Sequence, residues 1–328
     1  MGETLIVLNK DEDSISIVDP QDRKEIQKIQ TEYNPHEVLT VPEKNKTYVS
    51  CSLGNVVQVI DNNAWEIVDE IRHPDFDFPH GLSITPDGEE LYLAETYGER
   101  IHIIDIESDK ITNTIDSSQK WTHMISFSPD SEIAYIANMN SDTVSLLDTT
   151  SKEFVDHIPV GGGPEGIAAH PNGDHLYVAN QEENNLYVMD TENFEVLYER
   201  SIGNLPVRCV FSPDGRYALI ANRASDDISV IDSEFKLGNR LDPHIVRSPD
   251  ELFLHDSKPE LDPEVRPWEI KRIAAGKAPG GIVFNSEGTH AYVCNNHSND
   301  VSVINMNSLK QESTIDVGVH PDGIGIIE

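Results

Sequence analysis

The stretch Pro164–Asp190, PEGIAAHPNGDHLYVANQEENNLYVMD, decides the fold of this chain, because its pattern returns along the whole sequence. It begins with Pro-x-Gly and a short apolar run, turns at Pro-Asn-Gly 171–173, and continues into LYVAN 176–180 and LYVMD 186–190. Its opening position recurs at Pro35, Pro79, Thr122, Pro164, Pro206, Pro279 and Pro321. The intervals are 42 to 44 residues, except for one of 73 between Pro206 and Pro279. The chain is therefore a repeat.

Each unit reads as four β-strands. Apolar and β-branched residues alternate over short runs, and Gly, Asn, Asp and Pro separate these runs. Pro-Asp-Gly and Pro-Asn-Gly triplets at 86–88, 171–173 and 213–215 predict tight turns in which glycine takes a positive φ. A four-stranded unit of about 42 residues is typical of one β-propeller blade.

The two ends of the chain complement each other. LIVLN 5–9 and ISIVD 15–19 match the second and third strands of a unit, whereas PDGIGII 321–327 matches only the first strand. We expect the last strand to pair with the first segment, which completes a composite blade without free edges. The sequence thus predicts an all-β fold, a seven-bladed β-propeller of four-stranded blades, as one domain over residues 1–328.

The second strands carry a resemblance to a known family. LYVAN 176–180, AYIAN 134–138 and AYVCN 291–295 resemble the YVTN repeat, and a strand ending in Asp or Asn follows each of them. The resemblance covers nearly the whole chain and implies a seven-bladed β-propeller. It does not imply one function, because YVTN proteins and their structural relatives include surface-layer proteins, lactonase-like enzymes and haem- or copper-bearing propellers.

The residue after each opening position is expected to face the mouth of the central channel. These ring residues are His36, His80, His123, Glu165, Val207, Gly280 and Asp322. Histidines beside a carboxylate suit iron, copper or zinc, so we expect a divalent transition metal bound by His36, His80 and His123. Glu165 and Asp322 are predicted as further ligands or as hydrogen-bond acceptors for the histidines. A polar, water-filled mouth without a specific ligand is the alternative.

Two departures from the repeat, together with Glu165, are catalytic candidates. Arg208 stands where four other blades have glycine, and it is predicted either to bind a substrate carboxylate or to pair with Glu165. Most second strands end in Asn, whose side chain is expected to bond the following loop. Glu95 takes this place in the blade of His80, as a general base or as a solvated carboxylate.

The long interval contains an insertion at about 233–267 that is rich in Pro, Asp and Glu. The blade topology predicts that this connection lies on the face opposite the ring. Long loops of this kind are often functional, so a protein partner that binds the insertion is one expectation.

The net charge of the chain argues against two classes of binding partner. The chain has 58 acidic and 24 basic residues and a formal net charge of -34, which repels nucleic acids and anionic membrane surfaces. A small-molecule ligand in the central channel is one further expectation. No basic and apolar leader opens the sequence, so we expect a cytoplasmic protein, or an exported one if a leader has been removed.

Several enzyme classes find no support. The sequence has no Gly-x-Ser-x-Gly elbow, no Walker-type loop and no GxGxxG before a helix. Three hypotheses stay open: a metal-dependent enzyme of redox, lyase or hydrolase type, a non-catalytic interaction or surface-layer-type scaffold, and a metal-free lactonase-like hydrolase.

Overall fold

The computed structural model describes residues 2–233 and 269–328. These residues form 28 strands in seven four-stranded antiparallel sheets, with one turn of 3-10 helix at Pro42–Lys44. The predicted all-β, seven-bladed fold is confirmed. The predicted insertion at about 233–267 lies, apart from Ser233, outside the described residues. The extent of a single domain over 1–328 stays a prediction.

The sheets are numbered as blades 1 to 7 in the order of their first, innermost strands. Blade 1 contains β4 (Pro35–Val41), β5 (Lys46–Cys51), β6 (Val56–Asp61) and β7 (Glu66–Ile71). Blade 2 contains β8 (Pro79–Ile84), β9 (Glu90–Glu95), β10 (Arg100–Asp105) and β11 (Lys110–Asp116). Blade 3 contains β12 (Thr122–Phe127), β13 (Ile133–Asn138), β14 (Thr143–Asp148) and β15 (Glu153–Pro159).

The remaining blades follow the same order. Blade 4 contains β16 (Pro164–Ala169), β17 (His175–Asn180), β18 (Asn185–Asp190) and β19 (Val196–Ser201). Blade 5 contains β20 (Pro206–Phe211), β21 (Tyr217–Asn222), β22 (Asp227–Asp232) and β23 (Glu269–Ala274). Blade 6 contains β24 (Pro279–Phe284), β25 (His290–Asn295), β26 (Asp300–Asn305) and β27 (Lys310–Asp316). Blade 7 contains β28 (Pro321–Ile327), β1 (Thr4–Asn9), β2 (Ser14–Asp19) and β3 (Lys24–Gln30).

The second strand of each blade is buried on both faces. In β17, Leu176 and Val178 pack into a cluster shared with blade 3, whereas Tyr177 and Ala179 pack into one shared with blade 5. Seven such clusters in the described residues fill the seven gaps between neighbouring blades. Each fully buried Leu or Val contributes about 1.5–3 kcal/mol, so the apolar run of the second strand stabilises two interfaces at once.

The terminal strands close the ring in one composite blade. Strand β28 pairs antiparallel with β1, with Leu5 opposite Ile326 and Val7 opposite Ile324. On its other side β28 packs against the first strands of blades 6 and 1. The predicted closure is thus confirmed. No helix in the described part of the chain is long and apolar enough to cross a membrane.

Glycine sets how closely the first strands approach one another. The residue after the ring position is Gly81 in blade 2 and Gly281 in blade 6. A side chain on Gly81 would collide with the carbonyl oxygen of His123, and one on Gly281 would collide with that of Asp322. Glycine is used here because backbone meets backbone. The close approach also brings the ring side chains of adjacent blades into contact.

Candidate functional site

The three ring histidines form one cluster at the channel mouth. The imidazole of His80 lies against both neighbours, with ring centroids 4.4 Å from His36 and 3.8 Å from His123. The rings of His80 and His123 are stacked with 21° between their planes. His80 and His123 are buried, with 3% and 9% of their surface exposed. The structure therefore brings together the three histidines that the sequence placed in one ring.

Hydrogen bonding distinguishes the three imidazoles. His36 Nε2 lies 3.4 Å from a carboxylate oxygen of Asp322, and His123 Nδ1 lies 3.0 Å from the Thr96 hydroxyl. The nearest charged partner of His80 is Glu37, with 3.9 Å between His80 Nε2 and the carboxylate. The Nδ1 atoms of His36 and His80 are buried without a hydrogen-bond partner. Such orphaned nitrogens are uncommon and mark a site that can accept a ligand.

Burial keeps two of the imidazoles neutral. It lowers the pKa of His80 well below 6.5, and the positive charges that His123, His36 and Arg208 can carry act in the same direction. Burial, followed by the charges of His36 and Arg208, lowers the pKa of His123 to about 3. At neutral pH both rings are therefore uncharged, and one nitrogen of each has a lone pair.

An ion pair crosses the channel mouth. The Arg208 guanidinium in blade 5 donates through Nη2 to the Glu37 carboxylate in blade 1, and its Nη1 lies 3.3 Å from the sulfur of Met124 in blade 3. All three residues occupy the position after the ring residue. The predicted pairing of Arg208 with Glu165 is wrong, since its carboxylate partner is Glu37. The binding of a substrate carboxylate by Arg208 stays a prediction.

The Asp322 carboxylate, which lies beside His36, is also close to two basic side chains. Its carboxylate lies 2.8 Å from Lys10 Nζ and 3.7 Å from an Arg223 nitrogen. Burial acts to raise the pKa of Asp322, but the hydrogen bond from His36 and the charges of Lys10 and Arg223 hold it well below 3.8. Asp322 is therefore a permanent anion at the mouth, placed next to His36 as the ring predicted.

Glu165 has the opposite electrostatic character. Burial raises its pKa to about 8, against the lowering effect of Arg208 and Arg223. Its carboxyl group makes no hydrogen bond or ion pair with the described residues. Glu165 therefore holds a proton at neutral pH and titrates in the range where a general acid or base works best.

Glu95 is fully buried, so the alternative of a solvated carboxylate is wrong, and it lies in a network of blade 2 that is separate from the histidines. Its carboxylate accepts from the backbone N–H of Asp77, is 3.0 Å from His102 Nε2, and is 3.8 Å from Arg100. His102 Nδ1 is in turn 2.9 Å from the Thr114 hydroxyl. Among the described residues, Glu95 thus has structural partners and none from the histidine cluster. Its role as a general base stays a prediction.

The asparagines that end most second strands bond differently from the prediction. Asn295 donates to the Ser302 hydroxyl on the third strand of its own blade, 2.8 Å away, and accepts from the backbone N–H of Gly276, 3.0 Å away. Asn9 does the same with Ser16 and Gly318. In blades 6 and 7 the side chain therefore fixes the loop that leads into the blade, and it also bonds the first residue after the following loop, Asp300 or Ser14. The Oδ1 atoms of Asn138, Asn180 and Asn222 have no hydrogen-bond partner among the described residues.

Sequence reasoning missed five residues of the mouth. They are Lys10, Glu37, Thr96, Met124 and Arg223. Glu37 and Met124 depart from glycine at the same repeat position as Arg208, so the rule that identified Arg208 would also have found them. The other three directly follow the last residue of a second strand, a position that leads toward the mouth in every blade.

The cluster does not present a preformed metal site. Within residues 2–233 and 269–328, no group of three or more His, Cys, Asp or Glu side chains is arranged to hold a metal ion. The stacking of His80 on His123 explains this, because lone pairs of nearly parallel rings do not point to a common centre. The donor types suit a transition metal, whereas their present directions do not.

Solved structures share the fold. Hydrazine synthase of Kuenenia stuttgartiensis is 22% identical, with 92% of each chain covered and a TM-score of 0.76. A protein of unknown function from Desulfotomaculum acetoxidans DSM 771 is 16% identical, with 99% of each chain covered and a TM-score of 0.79. A putative 6-phosphogluconolactonase from Bacteroides fragilis NCTC 9343 is 11% identical, covering 100% of this chain and 98% of that one, with a TM-score of 0.73.

These likenesses are to the fold alone, because every identity is below 25%. No family model matches the chain, and no curated protein matches it. The seven-bladed propeller therefore has independent support, and the relation to the YVTN repeat stays a prediction.

Proposed function

We propose that the channel mouth binds a small organic anion and that Glu165 exchanges a proton with it. The observation that carries this proposal is the charge balance of the mouth. Among the described residues, the carboxylates within 4.0 Å of Lys10, Arg208 and Arg223 are those of Glu37 and Asp322, and Glu165 is protonated at neutral pH. One positive charge is left uncompensated in a chain of net charge -34, which attracts an anion to this place.

The chemistry that fits is opening of a cyclic ester. Water attacks the carbonyl carbon and releases one of its protons to solvent, the ring C–O bond breaks, and the leaving oxygen takes the Glu165 proton. The new carboxylic acid then returns a proton to Glu165, and its carboxylate stays beside the cations. Neutral His80 and His123 supply hydrogen-bonding groups in a site with little water. The lactonase-like neighbour adds only that this fold is used for such a reaction class.

Met124 offers a direct test of binding, because its sulfur touches Arg208. With methionine methyl groups labelled, titration with cyclohexanecarboxylate is expected to move the Met124 methyl signal, and titration with cyclohexylmethanol is not. Buried Met189 and Met306 are internal controls. Equal responses to acid and alcohol, or none to either, would overturn the proposal.

Catalysis is tested separately on metal-stripped protein with a panel of lactones. Glu165→Gln keeps the shape of the side chain but cannot transfer the proton, so turnover is expected to fall by at least about 100-fold. Glu182→Gln changes an exposed carboxylate of the same blade and is expected to leave turnover unchanged. Turnover that survives in Glu165→Gln would show that Glu165 is not the proton carrier.

A second candidate function is a metal centre of His36, His80 and His123. It is favoured by the orphaned Nδ1 atoms of His36 and His80 and by the Asp322 carboxylate beside His36 Nε2, a pairing typical of metal-bound histidine. The stacked rings would have to turn for the three nitrogens to converge. A bound iron, copper or zinc ion would supply Lewis-acid or redox chemistry.

Metal analysis decides this second candidate. Protein refolded or expressed with iron, copper or zinc is expected to hold one ion, and His80→Ala is expected to lose it. His290→Ala, which changes a histidine outside the ring, is the control. Absence of stoichiometric metal, or equal content in wild type and His80→Ala, would overturn the metal centre.

A further inference from the structure

Every first strand is preceded by a residue in the left-handed backbone region. The φ values are 59° at Asn34, 63° at Phe78, 57° at Trp121, 64° at Gly163, 51° at Leu205, 53° at Ala278 and 53° at His320. Glycine and asparagine take this conformation easily, whereas bulky side chains take it at a cost in stability. Blades 2 and 3 nevertheless have Phe78 and Trp121, which stand two residues before His80 and His123.

These two aromatics form a wall with Tyr97. Ring centroids lie 4.8 Å apart for Phe78 and Tyr97 and 5.8 Å apart for Tyr97 and Trp121. Tyr97 is 50% exposed and Trp121 40% exposed, so their faces are not used up by packing. We call Phe78, Tyr97 and Trp121 the aromatic wall. Phe78 and Trp121 are strained, and Tyr97 and Trp121 are exposed; both features are costly for the fold, which points to a role in binding.

The aromatic wall is continuous with the charged mouth. The Phe78 ring centroid is 6.0 Å from that of His36 and 6.1 Å from that of His80, and Phe78 and His80 are nearly parallel, with 9° between their planes. His80 in turn approaches Glu37, the partner of Arg208. A ligand that spans the mouth thus meets flat apolar surface on one side and cations on the other.

We propose that the anion bound at the mouth is a planar aromatic acid, whose ring stacks on the aromatic wall while its acidic group faces Arg208, Arg223 and Lys10. This inference rests on the proposed function, because it takes anion binding at the mouth as given. Stacked aromatic pairs add to binding beyond the area they bury. Blades 5 and 6 have Leu205 and Ala278 in place of Phe78 and Trp121. The aromatic ring of the ligand is therefore expected only on the side of blades 2 and 3.

Three probes of equal charge separate the possible ligands by calorimetry. 2-Naphthoate is planar and aromatic, cyclohexanecarboxylate is apolar but not planar, and glucuronate presents a sugar ring. 2-Naphthoate is expected to bind at least about tenfold more tightly than cyclohexanecarboxylate. Equal affinity of these two, or tighter binding of glucuronate, would overturn the aromatic acid and leave anion binding intact.

Variants of the aromatic wall test where the aromatic ring of the ligand binds. Trp121→Gly and Phe78→Gly are expected to weaken 2-naphthoate binding about tenfold and to leave cyclohexanecarboxylate binding within about twofold. Ala278→Gly makes the same backbone change on the opposite side of the mouth, so its affinity for both probes is expected to equal that of wild type. Thermal unfolding of each variant shows that it is folded, and glycine at these positive φ values is expected to preserve the melting temperature.

The outcomes are distinguishable. If no carboxylate binds, the proposed function itself fails. If both carboxylates bind but the Trp121→Gly and Ala278→Gly variants respond alike to 2-naphthoate, the aromatic wall is not the binding surface and only this inference fails.

Discussion

Replacing Glu165 by glutamine is expected to remove the pH dependence that its carboxyl group gives to stability. In the folded state its pKa is about 8, against 4.5 for an ordinary glutamate. The folded protein therefore holds a proton that the unfolded chain has released, so this group's favourable contribution is complete below about pH 4.5 and lost as the pH rises through 8. The difference in pKa corresponds to about 5 kcal/mol, of which about 4 kcal/mol falls between pH 5 and pH 9. Glutamine stays neutral throughout, so Glu165→Gln should gain about 4 kcal/mol of unfolding free energy relative to wild type over this interval.

Urea denaturation at fixed ionic strength measures this difference at pH 5, 7 and 9. Comparing the variant with wild type at each pH cancels the titration of the other carboxyl groups. Glu182→Gln removes one exposed charge from the same blade, and its difference from wild type should not follow the pH. A Glu165→Gln difference that is constant to within about 1 kcal/mol would refute the protonated carboxyl group and, with it, the charge balance of the mouth.

Three further outcomes test the framework around the site. Asp322→Asn leaves Lys10 and Arg223 without a buried counter-charge and should cost about 3 kcal/mol of unfolding free energy at pH 7. Because the pKa of Asp322 is well below 3.8, the loss should persist at pH 5. Equal stability of variant and wild type would contradict this. Asn295→Ala should cost about 1–3 kcal/mol in urea denaturation by leaving the Gly276 N–H without an acceptor, whereas exposed Asn63→Ala should change stability by less than about 0.5 kcal/mol. Removal of residues 321–328 exposes the β1 edge, so gel filtration should show aggregation, and a monomer with an unchanged melting temperature would disprove closure by β28.

The fold was predictable because every blade repeats the same physical requirement. LYVAN 176–180 must bury one set of alternate side chains against blade 3 and the other against blade 5, so its apolar run returns wherever a second strand lies between two neighbours. The blade count followed from the spacing of the openings, and the composite blade followed from two incomplete units at the ends. These features depend on local pattern, which a single sequence carries.

The site was predictable only where residues at the same position of neighbouring repeats contact one another. The ring correctly placed the three histidines in contact and Asp322 beside His36. The pairing of Arg208 with Glu37 was out of reach, because it joins blades 1 and 5 across the channel and no spacing along the chain encodes that choice. Whether Glu165 is charged was equally hidden, since its pKa depends on burial and on cations from other blades.

The pairing of β1 with β28 also governs the order of folding during synthesis. A ribosome adds about 5–20 residues per second, so roughly 15–60 s pass between the emergence of Asn9 and that of its partner Pro321. Through that time β1 has an open hydrogen-bonding edge and uncovered Leu5 and Val7. Blade 7 is therefore completed last, although β1 precedes the other described strands in the sequence, and a holding chaperone would act on β1 to β3 rather than on the blades between.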